Sequence, residues 1–129
     1  GLAPLSLIEP GGSTLSREEF FPEIITALPR ADVPGEGVRT YLLQAENMQV
    51  AFVAFDEDIN APEESHPAQW VVVLEGEVEL TIAGETSVHR RGDTYFVPAG
   101  VPHTARIKKG SRLIDLFDQA DRFRPEEPG

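Results

Sequence analysis

From Val38 onward, apolar and polar positions trade places along the chain. The segments "VRTYLLQAEN", "MQVAFVAFDE", "WVVVLEGEVELTIAGETSVHR", "DTYFVPA", "HTARIKK" and "SRLIDLFD" are rich in Val, Ile, Phe, Tyr and Thr. Gly, Pro, Asp and Asn break them at roughly every 8 to 12 residues, the pattern of strands in an all-β sandwich or barrel. Ala83-Gly84 lies between two alternating runs and predicts a hairpin turn. Period-two parity then sorts the side chains. Val71 and Val73 share a face with Gln69, while Trp70 and Val72 take the other, so Trp70 is expected in packing or a subunit contact. Ala105 and Ile107 follow the face of His103. Tyr95, Phe96, Phe52 and Phe117 are expected in the core, with Tyr95 or Tyr41 able to present a hydroxyl to a ligand.

The first 37 residues read differently. Residues 1–12 carry Pro and Gly and predict an extended arm. In "STLSREEFFPEIITALPRA", Ser16 and Glu19 have capping-box spacing and predict a short helix. Pro22 falls in its first turn or so, and the helix stops before Pro29. Residues 119–129 are polar and predict a fraying tail. The expected organisation is an arm and short helix over 1–37, a barrel over 38–118 and a tail over 119–129, with no repeat.

Composition narrows the partners. The chain has 129 residues, 40% hydrophobic and 26% charged, which suits one globular domain. Its net charge of −11 argues against a nucleic-acid partner, which needs a basic surface, and against anionic membranes. No apolar run approaches the ~18 residues of a membrane span, and no signal-like segment opens the chain. A cytoplasmic location is therefore expected. The absence of Cys excludes disulfides, thiolate zinc sites and a Cys nucleophile. There is no nucleophile elbow, P-loop or dinucleotide fingerprint. Ser65 beside His66 is no nucleophile–base pair, because adjacent strand residues face opposite ways.

Two of the three histidines stand out. His103 ends "GDTYFVPAGVPH", and His66 follows an acidic pair in "EESHPAQW". His89, beside Arg90 and Arg91, reads as a surface residue, and Asp93 as a turn residue. The stretch from Gly92 to His103 fills G-x5-P-x-G-x2-H with Gly92, Pro98, Gly100 and His103; Ile107 stands where the pattern ends in Asn. Gln69 and Gly76 match the spacing of E-x6-G, and fifteen residues separate Gly76 from Gly92. On these motifs the region from about Val38 to Phe117 resembles the cupin superfamily, in its small single-domain form.

That resemblance implies an all-β double-stranded β-helix, a jelly-roll barrel with a pocket inside, preceded by the short helix and arm. It implies one divalent metal in the pocket, with His103 as the second-motif ligand and His66 as the second histidine of H-x-H. Glu64 falls where the first histidine would be, and Gln69 where the glutamate would be. Two residues rather than three or four separate Gln69 from His66. Glu64 and His66, two apart, share a face if extended. With His103 they make two imidazoles and a carboxylate, a set suited to Fe, Mn, Ni or Zn. Gln69 is either a fourth, neutral ligand or a group that hydrogen-bonds a ligand or orients His66.

Three classes of function follow. One is a metal-dependent enzyme of dioxygenase, isomerase or lyase type acting on a small molecule. Another is a metal-free binding or sensor module, and the last a structural scaffold. A homodimer is expected, with residues 1–12 crossing to cover an edge strand of a neighbouring subunit.

Overall fold

Nine strands follow one short helix in a computed structural model that describes residues 20–33, 35 and 37–127. The helix α1 (Glu23–Thr26) precedes β1 (Val38–Gln44), β2 (Gln49–Phe55), β3 (Ile59–Glu64), β4 (Gln69–Glu75) and β5 (Glu77–Ile82). Then come β6 (Glu85–Arg90), β7 (Thr94–Val97), β8 (His103–Ile107) and β9 (Arg112–Phe117). The strands form two antiparallel sheets, ordered β1-β2-β9-β4-β7 and β3-β8-β5-β6. Neighbours in each sheet are mostly distant in sequence, which is the wrapped topology of a jelly roll.

The period-two parity holds where it was read. Val71 and Val73 are fully buried between the sheets, while Trp70 is 41% exposed on the outside. They join Leu42, Val53, Phe55, Val78, Ile107, Leu113 and Phe117 in the core. Each such apolar side chain contributes about 1.5–3 kcal/mol relative to exposure. Phe96 departs from expectation: it lies on the outer face and is 56% exposed. Ala83 and Gly84 both take positive φ, 51° and 79°, and close the β5–β6 hairpin at the Ile82–Glu85 pair. Asp93 is a turn residue, its carboxylate accepting the Arg90 N–H at 2.7 Å.

Gly76 has a steric reason. Its φ is +91°, and a Cβ there would stand 2.2 Å from Ser111 Oγ. The close approach lets Ser111 Oγ accept the Glu77 N–H at 3.0 Å, tying β5 to the start of β9.

Three expectations are corrected. The alternating segments leave residues 58–69 outside any strand, yet β3 lies there. Ile59, Ala61 and the terminal Glu64 turn inward from this edge strand, and Pro62 sits where its register to β8 shifts between Ala61 and Glu64. The helix is a single turn from Glu23, with Pro22 as its N-cap in extended conformation rather than inside the first turn. Phe20 and Phe21 are not helical, and the Ser16 capping box lies outside the described residues.

The third correction concerns the tail. Through Glu127 it packs back along the barrel instead of fraying. Buried Gln49 donates to the Phe123 carbonyl at 3.0 Å and accepts the Phe123 N–H at 2.9 Å, as a neighbouring strand would. Asp32 N–H donates to the Arg124 carbonyl, and Glu126 N–H to that of Arg30, each at 2.7 Å. Phe123 thereby reaches the Phe117 ring. No helix among the described residues is long and apolar enough to cross a membrane.

Candidate metal centre

The cavity between the sheets holds about 200 Å³. Val53, Phe55, Leu80, Ile107, Leu113 and Phe117 supply much of its apolar wall. Into it project Glu64, His66, Gln69, Tyr95, His103, Asp115 and Arg122. A few polar groups converging in an apolar cavity are the usual form of a small-molecule site.

Strand pairing brings Glu64 and His103 together, with His66 beside them. Glu64 ends β3 directly opposite His103, the first residue of β8. His66 follows two residues after Glu64, and its carbonyl accepts the Gly100 N–H at 3.0 Å, which pins it to the turn before His103. His66 therefore stands in the loop just after β3, beside the start of β8 that carries His103. Their rings are 4.8 Å apart and nearly perpendicular. One ligand atom from each of Glu64, His66 and His103 falls within 4.8 Å of the others.

Backbone carbonyls set the imidazole tautomers. His66 Nδ1 donates to the Pro67 carbonyl at 2.8 Å, and His103 Nδ1 to that of Val101 at 3.0 Å. A carbonyl only accepts, so each Nδ1 carries a proton, and in the neutral ring the lone pair is then on Nε2. This is the outer support that metal-binding histidines require. Glu64 Oε1 accepts from Arg122 at 2.9 Å, which leaves Oε2 as the carboxylate donor. Two imidazole nitrogens and a carboxylate can hold one divalent ion with coordination positions to spare.

Gln69 enters from the opposite sheet and lines the same cavity, with its side-chain amide near Asp115. Tyr95 is there too, from β7. Its hydroxyl is pushed up by burial and, second, by the charge of Asp115. Tyr41 is not there. Thr40 takes the inward position on β1, and Tyr41 packs on the outer face with Phe21 and Ala54, under the Arg30 guanidinium. Tyr41→Phe is expected to leave metal affinity unchanged and to alter stability by less than about 1 kcal/mol, checked by metal titration and urea unfolding. His89 also stays out of the cavity, half-buried against the Tyr95 ring at 4.7 Å.

Two cavity residues escaped the sequence reading. Asp115 is 9% exposed, and its Oδ1 has no hydrogen-bond partner. Burial pushes its carboxyl up to about 7 from 3.8, against the opposing pull of the Gln69 amide and the Arg122 charge. The signal was present: Asp115 alternates with Leu113 and Phe117 on the inward face of β9. Arg122 comes from the tail and lies over the rings of Phe117 and Phe123, at 5.5 and 4.8 Å. Nothing in "QADRFRPEE" marks it.

Fold and site together define a jelly-roll barrel with a histidine–carboxylate centre suited to a divalent metal. The cupin domain pattern matches residues 52–116, and the chain belongs to the cupin family. An uncharacterised protein of Streptomyces coelicolor is 30% identical over 84 residues, covering 64% of this chain and 80% of its own. The crystal structure of an RmlC-like cupin from Shewanella frigidimarina is similar at a TM-score of 0.64 and 26% identity. That match covers 88% of this chain and 95% of the other. Bacillus subtilis oxalate decarboxylase, a protein with Mn(II) centres, shares the fold at a TM-score of 0.63 and 19% identity. Here 92% of this chain matches 34% of the decarboxylase.

Proposed function

We propose that the protein is a metal-dependent cupin enzyme that isomerises, or eliminates from, a small oxygen-rich acid. The observation that carries this reading is the convergence of Glu64, His66 and His103 within 4.8 Å, with both Nδ1 atoms already committed to backbone carbonyls. Glu64, His66 and His103 would hold iron, manganese, nickel or zinc, which would supply a Lewis acid toward a substrate carbonyl or carboxylate. Arg122, with a buried Nε that has no partner, offers a charged donor to an anionic substrate. Asp115 lies in the same cavity, titrates near neutrality and takes or returns a proton. The Gln69 amide and the un-ionised Tyr95 hydroxyl supply neutral hydrogen bonds to orient the ligand. Among the reaction types open to such a centre, a buried proton carrier favours isomerisation and elimination over oxygenation.

A second reading has its own support. The Arg122–Glu64 ion pair already satisfies one carboxylate oxygen without a metal, as a metal-free binding module would need. One experiment separates the two. Metal-loaded protein is incubated in D2O with small hydroxy and keto acids and followed by NMR. Deuterium entering a substrate carbon, and lost in Asp115→Asn at unchanged metal content, is the expected outcome. Saturable binding with neither exchange nor turnover assigns the cavity to the binding module. Consumption of oxygen contradicts the proton-transfer chemistry.

A further inference from the structure

Arg122 brings a positive charge into the cavity that holds Glu64, His66 and His103. It lies in the segment after β9, which is anchored on both sides of it. Asp118 N–H donates to the Ala68 carbonyl at 2.9 Å, and Phe123 is held by both polar atoms of the buried Gln49 side chain. The backbone is thereby fixed, and the freedom left belongs to the long arginine side chain. Phe117 and Phe123 hold the guanidinium at 5.5 and 4.8 Å through its charge, not through directed hydrogen bonds.

The guanidinium is only half used. Its Nε and Nη2 form one edge, the pair of donors that grips a carboxylate by both oxygens. Arg39 shows the completed form, with Nε and Nη2 donating to the two oxygens of Asp56 at 2.9 and 3.1 Å. On Arg122 the same edge is split. Nη2 donates to Glu64 Oε1 at 2.9 Å, while buried Nε has no hydrogen-bond partner. Glu64 is the one anionic donor of the metal triad, so a divalent ion there would share its carboxylate with Arg122. Two cations on one carboxylate repel, and the Arg122 side chain, 25% exposed, is only partly screened by water. A carboxylate entering the cavity can fill the whole Nε–Nη2 edge, but only by taking Nη2 away from Glu64.

We propose that Arg122 is an interlock between acid and metal. It holds Glu64 while the cavity is empty, turns its Nε–Nη2 edge to the carboxylate of an entering acid, and so releases Glu64 to the metal. Acid and metal then bind with positive cooperativity, each tightening the other by the same factor. Arg122 acts on the metal through Glu64 and is a positioning residue. The interlock rests on the reading of the cavity as a metal centre for a small acid.

Calorimetric titration of the full chain with Mn(II) tests it, alone and with saturating lactate or lactamide, corrected for Mn(II) held by either in solution. Lactamide keeps the hydroxyl and carbonyl of lactate without its charge. Wild type is expected to bind Mn(II) about 10-fold more tightly with lactate, a usual size for such coupling, and to be little changed by lactamide. Arg122→Gln is expected to bind Mn(II) several-fold more tightly than wild type without any acid, and to gain little more from lactate. Arg122→Lys keeps the charge without the paired edge, so its acid-free affinity stays near that of wild type and its lactate effect shrinks. A wild type indifferent to lactate, an Arg122→Gln protein that binds Mn(II) no more tightly, or a full lactate effect in either variant overturns the interlock and leaves the metal centre standing. A wild type that binds no Mn(II) under any of these conditions overturns the metal reading, and the interlock with it.

Discussion

His103→Ala lowers the affinity for a divalent ion by at least about 100-fold, more than loss of an outer-shell partner, which alone costs 10- to 100-fold. The substitution removes one of two neutral imidazole donors and leaves Glu64 and His66 to hold the ion with an incomplete set. His103 is only 7% exposed, so the alanine also leaves a void and destabilises the apo-protein by about 1–2 kcal/mol. The informative quantity is therefore the rise in unfolding temperature that each protein gains from added Mn(II) or Zn(II), paired with a calorimetric titration. Wild type gains stability by mass action, and the variant gains almost none. Equal gains in both proteins would place the ion elsewhere.

Asp115→Asn stabilises the protein at alkaline pH and does little under acid conditions. The folded carboxyl titrates at about 7 against 3.8 as its ordinary value, because burial disfavours the charge. A carboxyl whose pKa is raised on folding binds its proton more tightly in the native state. Its contribution is most favourable below about pH 4, is lost as pH rises from about 4 to 7, and stays lost above that. The full shift corresponds to up to about 4 kcal/mol. Asparagine keeps the shape and never ionises, so it escapes this loss. Urea unfolding of metal-free protein is expected to find the variant about 2–3 kcal/mol more stable at pH 8 and nearly matched near pH 4. Parallel pH profiles would mean that the Asp115 carboxyl titrates alike in the folded and the unfolded chain, so that burial does not raise it. In the functional reading the same residue is destabilising because it is placed to move a proton, a familiar exchange of stability for activity.

Much of the barrel was legible because its strands obey one simple rule. The alternation of Trp70, Val71, Val72 and Val73 gave both faces of β4, and Ala83-Gly84 marked a turn that requires positive φ. Gly76 stands where Ser111 leaves no room for a side chain, and spacing alone located it. The edge strand β3 was hidden since Ile59 and Ala61 are its only half-buried apolar side chains, and Asn60, Pro62 and Glu63 meet solvent. Tyr41 was misplaced for lack of a parity argument on β1, where Thr40 and Leu42 take the inner face. Glu64, His66 and His103 were recoverable from motif spacing, but their convergence depends on a cross-strand pair that no local pattern reveals. Arg122 depends on still more, the docking of a tail through Gln49 and Phe123. Its role is decided by tertiary packing rather than by any sequence period.

Elemental analysis of untagged protein, beside a His66→Ala/His103→Ala double variant, tests the central claim most directly. The account predicts close to one equivalent of iron, manganese, nickel or zinc in the wild type and essentially none in the double variant. Equal metal in both, or none in the wild type after reloading with each ion, would contradict it.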